Sequence, residues 1–206
     1  MYLLGPLYRV VAENYQERIN HFPLIRLIFY SLDKALLYFI LFLGLRIIYL
    51  RLKGRPWRWG PEILRGIFTF YLLLLLALTV FRGIYFPWQV KIYWQRSLSV
   101  INLQPLTETI KLQYGQSIID FIYNFYGNIL WFIPFGLLQP LLQKRRPHFI
   151  STVLLGMLLS FSIETMQFFL ATGVADIDDL IFNTCGAVIG YWLYWLFIRP
   201  FCRRNK

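Results

Sequence analysis

The sequence contains few of the residues that build most soluble active sites. Of its 206 residues, 2 are Cys and 2 are His, and Asp and Glu together number 10. Two cysteines cannot form the framework of a disulfide-bonded domain, and Cys185 and Cys202 do not have the spacing of metal ligands. A Ser–His–Asp arrangement, a P-loop and a dinucleotide fingerprint are also missing. These absences argue against a disulfide scaffold and against the common triad and nucleotide-binding enzymes.

Apolar residues are abundant instead. Hydrophobic residues make up 58% of the chain and charged residues 15%, against about 45–50% and about 25% in soluble domains. This composition excludes an intrinsically disordered chain, which requires low hydrophobicity. The 21 Lys and Arg residues give a net charge of +11, but they lie between long apolar runs and not on a solvated basic surface. We therefore predict a membrane protein that does not bind nucleic acid.

Five apolar runs are long enough to cross a bilayer, which requires about 20 predominantly apolar residues. The first run is the weakest, because Asp33, Lys34 and Arg46 interrupt it, and a re-entrant helix is the alternative there. We predict an all-α, polytopic membrane helix bundle over residues 28–198, preceded by an interfacial or partly ordered segment at 1–27 and followed by a basic cytoplasmic tail at 199–206. The predicted spans are about 28–50, 63–81, 118–142, 149–170 and 180–198.

Basic residues near the ends of the runs predict the orientation, because Lys and Arg are retained on the cytoplasmic side. Three segments hold 11 of the 21 bases: four within 51–58, three within 144–146 and four within 199–206. The connection at 171–179 holds three Asp and no base. The N-terminus, the acidic connection and a long loop at 82–117 are therefore predicted outside and the C-terminus inside, in a multi-pass protein of the bacterial cytoplasmic membrane.

Polar residues recur at helical spacing within the last three runs. Ionisable side chains in a membrane helix cost about 2.5–3.5 kcal/mol on insertion scales and usually face a partner or a wet cavity. Spacings of three, four or multiples of these place side chains on one helix face. The residues so aligned are Asp120, Asn124 and Asn128 on the third run, Ser160, Glu164 and Gln167 on the fourth, and Asp179, Asn183, Gly186 and Gly190 on the fifth. We expect one outward-facing polar cluster below the acidic connection.

The cluster has a structural and a functional interpretation. In the structural one, amides hydrogen-bond across helices, Gly186 and Gly190 permit close helix packing, and Asp176 caps the last helix. In the functional one, carboxylates and amides bind a polar headgroup, a sugar or a cationic group. Alternatively, Asp176, Asp178 and Asp179 hold a hard divalent cation, which prefers oxygen ligands. The structural interpretation is weaker for Glu164, because a membrane carboxylate seldom persists for packing alone, and it leaves the three Asp of the connection unexplained.

Four motifs in this order resemble the VanZ-like family over roughly residues 36–198. They are Asn102-Leu-Gln-Pro-Leu106, Asn128-Ile-Leu-Trp-Phe-Ile-Pro-Phe-Gly136, Ser160-x-x-x-Glu164-x-x-Gln167, and Asp176-Ile-Asp-Asp-Leu-Ile-Phe-Asn183-Thr-Cys-Gly186-x-x-x-Gly190-Tyr191. The family is associated with resistance of Gram-positive bacteria to teicoplanin-type glycopeptide antibiotics. The polar positions that the resemblance implies are Asn128, Glu164, Gln167, Asp176, Asp178, Asp179 and Asn183.

One position departs from the pattern that the resemblance implies. Many relatives have an Arg after the glycine of the acidic connection, whereas Val174 follows Gly173 here. A basic partner for the carboxylates is therefore missing or comes from Arg82, Lys91 or Arg96 in the preceding loop.

The favoured hypothesis is a non-enzymatic protein that binds an envelope component or a glycopeptide-like ligand at the acidic face, without a cofactor, and contributes to glycopeptide resistance. One alternative is a metal-dependent enzyme that acts on a lipid-linked phosphate at the outer leaflet, with Asp176, Asp178 and Asp179 as metal ligands. Another alternative is a structural partner of a second membrane protein. Apart from the bilayer, the sequence identifies no partner.

Overall fold

The computed structural model describes residues 1–18, 22–106, 118–143 and 148–200, and for residues 118–124 it describes the backbone only. In this part of the chain the regular elements are helical, and one isolated β-bridge pairs Asn102 with Asp176. The predicted all-α class is confirmed. The helices are α1 (Gly5–Tyr15), α2 (Phe22–Leu52), α3 (Trp59–Thr79), α4 (Ile118–Leu142), α5 (Phe149–Leu170) and α6 (Ile177–Leu193), with a π-helical turn at Tyr194–Ile198 after α6.

The described residues contain five helices that are long and apolar enough to cross a membrane, which confirms the predicted number of spans. They lie at Phe22–Leu52, Trp59–Thr79, Phe125–Leu142, Phe149–Leu170 and Ile177–Ile198. Three helices begin earlier than predicted, α2 at Phe22, α3 at Trp59 and α6 at Ile177. Pro23 and Pro61 lie in the first turns of α2 and α3, where the N–H that a proline lacks has no partner within the helix. The bases at 144–146 and 203–206, which support the predicted orientation, lie outside the described residues.

The chain divides into two compact units, Met1–Val90 and Lys91–Lys206. In the first unit, a fully buried carboxylate on α2 connects distant parts of the chain. Asp33 accepts hydrogen bonds from the backbone N–H groups of Tyr2, Leu3 and Leu4 at 2.8, 2.7 and 2.5 Å, and from the Tyr85 hydroxyl at 2.5 Å. The first N–H groups of a helix have no partner within the helix. Asp33 therefore supplies acceptors at the start of α1, where Leu4 has no side-chain cap.

Lys34, the next residue on α2, binds the segment that follows the C-terminal end of α3. Its Nζ donates to the carbonyl oxygens of Phe81 and Ile84, just beyond the end of α3. A cation is favourable there, because the last carbonyls of a helix carry partial negative charge. The Ser31 hydroxyl also donates to the Ala77 carbonyl, at 3.2 Å. Asp33 and Lys34 are thus bound inside the unit, and α2 is a continuous helix of 31 residues with no re-entrant turn.

A second ionic cluster lies where α2 ends and α3 begins. Glu62 accepts two hydrogen bonds from Arg46, at 2.8 and 2.9 Å, and one from Arg65 at 2.5 Å. A paired Arg–carboxylate contact of this kind fixes geometry as well as charge. The intramembrane Arg46 of the first predicted span is therefore neutralised by the first turn of the second span.

In the second unit, glycines bring α4 and α6 into backbone contact. A Cβ on Gly190 would lie 2.1 Å from the Ile133 carbonyl oxygen, and one on Gly186 would lie 2.3 Å from that of Ile129. From the opposite side, a Cβ on Gly136 would lie 2.0 Å from the Ala187 carbonyl oxygen. Small residues permit this approach in membranes, where helix association depends on close packing. This contact holds the polar face of α6 beside α4.

We expect Gly190→Ala to destabilise the protein by about 1–3 kcal/mol, because the new methyl group overlaps the α4 backbone. The matched control is Gly127→Ala on α4, where an added Cβ meets nothing within 4 Å and helix propensity favours alanine by about 1 kcal/mol. Thermal unfolding in detergent should show a lower midpoint for Gly190→Ala only. Equal midpoints for the two variants would contradict the packing argument.

Candidate functional site

The candidate site is built around the acidic connection between α5 and α6. Ala171 ends α5 in a left-handed conformation with φ of 52°, and the chain then turns through Gly173. Asp176 is the N-cap of α6, where its carboxylate accepts the backbone N–H of Asp178 at 2.9 Å. An N-cap acceptor satisfies one of the unpaired donors at a helix start. Asp178 and Asp179 occupy the first turn of α6, where the helix dipole favours negative charge.

Asp176 also joins this connection to the preceding loop. The amide of Asn102 donates to both Asp176 carboxylate oxygens at 3.0 Å. The two backbones are bonded as well, because the Asn102 N–H donates to the Ala175 carbonyl at 2.9 Å and the Ile177 N–H donates to the Asn102 carbonyl at 3.0 Å. Asn102 therefore holds the loop to the start of α6 through side chain and main chain together.

Glu164 reaches the same residue from α5. Its Oε2 accepts the backbone N–H of Asp176 at 3.0 Å. The carboxylates of Asp179 and Asp176 are close enough to interact with it electrostatically. The side chain is buried, with 7% of the residue exposed. Within the described part of the chain, no lysine or arginine pairs with Glu164 or Asp176. The site therefore brings several carboxyl groups together, and in the described residues neither Glu164 nor Asp176 has a cationic partner.

The two remaining aspartates contact different elements. Asp178, which is 2% exposed, accepts the backbone N–H of Leu106 at 2.6 Å. Asp179 accepts the Asn128 amide of α4 at 2.5 Å. The side chains of Asp120 and Asn124, predicted on the same face as Asn128, lie outside the described residues. Residues from α4, α5, α6 and the preceding loop thus meet at the acidic connection.

Two further predicted residues lie beside this centre. Asn183 donates to the Ser160 hydroxyl at 2.9 Å in a buried contact between α6 and α5. Gln167 is also buried, and a Cβ on Gly173 would lie 3.2 Å from its amide carbon. Asn183 is one helical turn further into α6 than Asp179. The Asn183–Ser160 hydrogen bond is therefore a polar connection between α6 and α5. It is separate from the carboxylates at the start of α6.

Arg96 occupies the place where a basic partner was expected, but its contacts are carbonyl groups. Its guanidinium donates to the carbonyl oxygens of Gln167, Phe168 and Gly173 at 3.3, 2.8 and 3.1 Å. It also lies over the Phe168 ring, 5.3 Å from the centroid. Arg96 therefore binds the C-terminal end of α5, where the partial negative charge of the last carbonyls favours a cation. Arg82, a second candidate, donates to the Leu78 carbonyl at the end of α3.

The sequence reasoning omitted three residues from the site. Asn102 appeared only in the motif that carried the resemblance, Ser160 only as part of a helix face, and Arg96 only as one of three candidate bases. A partner in a loop has no periodic signal, because its side chain meets the helices only after the chain folds back. The available signal for Asn102 was its place in an Asn-x-x-Pro turn within an otherwise apolar and aromatic loop.

Asp176, Asp178 and Asp179 are also the predicted ligands of the alternative metal site. In the residues that the structure describes, no group of three or more His, Cys, Asp or Glu side chains is arranged to hold a metal ion. Asp176 and Asp178 instead accept backbone N–H groups, at the start of α6 and at Leu106.

Comparison with known proteins identifies the family. The family model described as VanZ/LLP1 matches residues 68–198. The protein VanZ of Enterococcus faecium is 36% identical over 137 residues, which cover 66% of this chain and 76% of that protein. The chain belongs to the VanZ family. With its five apolar helices, it is a multi-pass membrane protein of that family, as the sequence motifs predicted.

The site lies entirely within the family match. All seven predicted polar positions fall between residues 68 and 198, as do Arg96, Asn102 and Ser160. Asp33 and Lys34 lie before the matched region. No solved structure matches the chain, so the geometry of this VanZ-family site rests on the contacts described above.

We expect Asn102→Ala to release the loop from the acidic connection. The loss of hydrogen bonds to a charged acceptor typically costs about 1.5–3 kcal/mol. Limited proteolysis should then cut residues 91–106 faster, and the thermal midpoint should fall. Gln104→Ala is the matched control, because Gln104 is exposed in the same loop and its described hydrogen bond, from its backbone N–H to Asn102, does not involve the Gln104 side chain. Similar proteolysis of both variants would show that Asn102 does not hold the loop.

Proposed function

We propose that this VanZ-family protein binds an envelope component or a glycopeptide-like ligand at the acidic site, and that this binding contributes to resistance against teicoplanin-type glycopeptides. The ligand class is one that presents ammonium, amide or hydroxyl donors. The observation that carries the proposal is Glu164, a buried carboxylate next to two others, with a single described hydrogen bond and no described cationic partner.

The chemical argument starts from the cost of this arrangement. Burying a carboxylate without a partner is unfavourable, and like charges nearby increase the cost. A ligand that brings positive charge or several donors reduces that cost, and gains charge-assisted hydrogen bonds of more than ordinary strength. The carboxylates of Asp176 and Asp179 lie beside Glu164 at the start of α6 and add to the negative charge of the site. The site is therefore suited to a donor-rich group and poorly suited to an anion.

The remaining polar residues support the site without being its chemical centre. Asn102 orients Asp176, Asn128 donates to Asp179, and Asn183 bonds to Ser160. These contacts are of the kind expected of a scaffold. We therefore assign binding to Glu164 with Asp176 and Asp179, and positioning to the amides around them.

The binding experiment uses the purified full-length chain in detergent, with teicoplanin and an isolated lipid-linked cell-wall precursor as probes. We expect Glu164→Gln and Asp179→Asn to weaken binding at least tenfold, because each replaces a carboxyl group that meets the ligand's donors with an amide. Isothermal titration measures affinity, and thermal unfolding checks that each variant is folded. In a susceptible Gram-positive host, the same variants should lower teicoplanin resistance at equal protein level.

The matched control is Glu13→Gln, which removes an exposed carboxylate on α1. It should leave both binding and resistance unchanged. Two results would overturn the proposal: neither probe binds the unmodified protein, or folded Glu164→Gln and Asp179→Asn variants bind as tightly as the unmodified chain.

The proposal also requires the acidic connection to face outward in the cytoplasmic membrane, as the distribution of basic residues predicts. Alkaline phosphatase is active only when it is exported. A fusion after Gly173 should therefore be active, whereas a fusion after Lys53 should be inactive. The reverse pattern would place the acidic site on the cytoplasmic side and exclude an external ligand.

A further inference from the structure

The first unit contains a second candidate binding site, unrelated to the acidic connection. A cavity of about 300 Å³ lies between α2, the end of α3 and the segment that follows α3. Its walls are almost wholly apolar and include Ala35, Leu73, Leu76, Phe81 and Val90. Among the described residues that line it, Lys34 alone carries a charge.

Lys34 is a buried cation, with 4% of the residue exposed. Its Nζ donates to the carbonyls of Phe81 and Ile84 and lies over the Tyr30 ring, 5.3 Å from the centroid. These groups are dipoles and cannot neutralise a full charge. The adjacent Asp33 carboxylate bonds instead to the first backbone amides of the chain and to Tyr85. Within the described residues, no carboxylate pairs with Lys34.

The cavity therefore combines an apolar interior with one uncompensated positive charge. Pockets that hold small molecules usually have volumes of about 300–1,000 Å³, with mainly apolar walls and a few placed polar groups. A lysine has three N–H donors, and carbonyls accept two of those of Lys34. A ligand with an apolar chain and an anionic group matches both features.

The position of the cavity indicates where such a ligand comes from. The walls belong to two membrane-spanning helices and to the segment that leaves α3. In that segment, Phe86 stacks on Trp88 with ring centroids 4.5 Å apart, and Trp88 is 77% exposed. Exposed tryptophans favour the headgroup level of a bilayer. A ligand drawn from the bilayer would thus meet apolar walls and Lys34 together.

We propose that this cavity binds an anionic phospholipid of the surrounding membrane. An acyl chain lies against the apolar walls, and the phosphate accepts the remaining Lys34 donor. The phosphate replaces the missing counter-charge, and the lipid stabilises the connection between α2 and the end of α3.

The test measures thermal unfolding of the full-length chain in neutral detergent while phosphatidylglycerol is added. Phosphatidylcholine with the same acyl chains serves as the zwitterionic comparison. A ligand that binds the folded state raises the unfolding midpoint with concentration. We expect phosphatidylglycerol to raise it at concentrations about tenfold lower than phosphatidylcholine, because only the former carries a net negative charge. Equal effects of the two lipids would overturn the proposal.

Variants localise the effect to the cavity. Lys34→Arg should keep the preference for phosphatidylglycerol, and Lys34→Met should abolish it. The control is Lys53→Met, because Lys53 is exposed and lies just beyond the C-terminal end of α2. This variant should leave the preference unchanged. If Lys34→Met does not fold, Leu76→Phe tests the proposal instead. The larger side chain fills the cavity, and the hydrogen bonds of Lys34 stay in place. An undiminished phosphatidylglycerol effect in folded Leu76→Phe would overturn the proposal, as would an equal loss of preference in Lys53→Met. Teicoplanin binding should persist in Leu76→Phe, which separates this site from the acidic one.

Discussion

A polar group inside a membrane must find its partner within the protein, because lipid offers neither donors nor acceptors. This constraint organises every charged contact described in both units. Asp33 binds the N–H groups at the start of α1, Lys34 binds carbonyls beyond α3, and Glu62 binds Arg46. In each case a charged side chain of α2 or α3 is bonded to another part of the first unit. The ionic side chains that weakened the first apolar run therefore connect the helices of the unit.

The same constraint shapes the acidic site, with a different outcome. Asp176 and Asp178 accept backbone N–H groups, so much of their hydrogen-bonding capacity is used to hold α6 and the preceding loop. Glu164 receives one such bond and no described cation. A polar cluster can thus be largely structural and still contain one buried carboxylate with a single described hydrogen bond.

The sequence predicted the helix faces well because their periodicity is local. The helical spacing of polar residues predicts that Glu164, Asp179 and Asn128 share one polar cluster, and the described contacts place them around one connection. Local spacing does not reveal partners that come from loops. Asn102 lies 74 positions from Asp176 in the chain, and its role depends on how residues 91–106 return to the helices. Arg96 illustrates the same limit, because its charge suggests the aspartates as partners, whereas in the structure it donates to the Gln167 and Phe168 carbonyls at the end of α5.

The sequence by itself determined the apolar spans, the all-α class, the VanZ motifs and the small residues at Gly186 and Gly190. These properties follow from composition and short-range periodicity, which a membrane helix expresses along its own length. Tertiary structure decided which polar groups pair, how α4 and α6 approach to backbone contact, and where a buried charge lacks a counter-charge. Those outcomes depend on distances between residues far apart in the chain. In the sequence, Glu164, Lys34 and Asp33 are all ionisable residues within apolar runs, and only the fold distinguishes the first two from Asp33, which accepts four described hydrogen bonds.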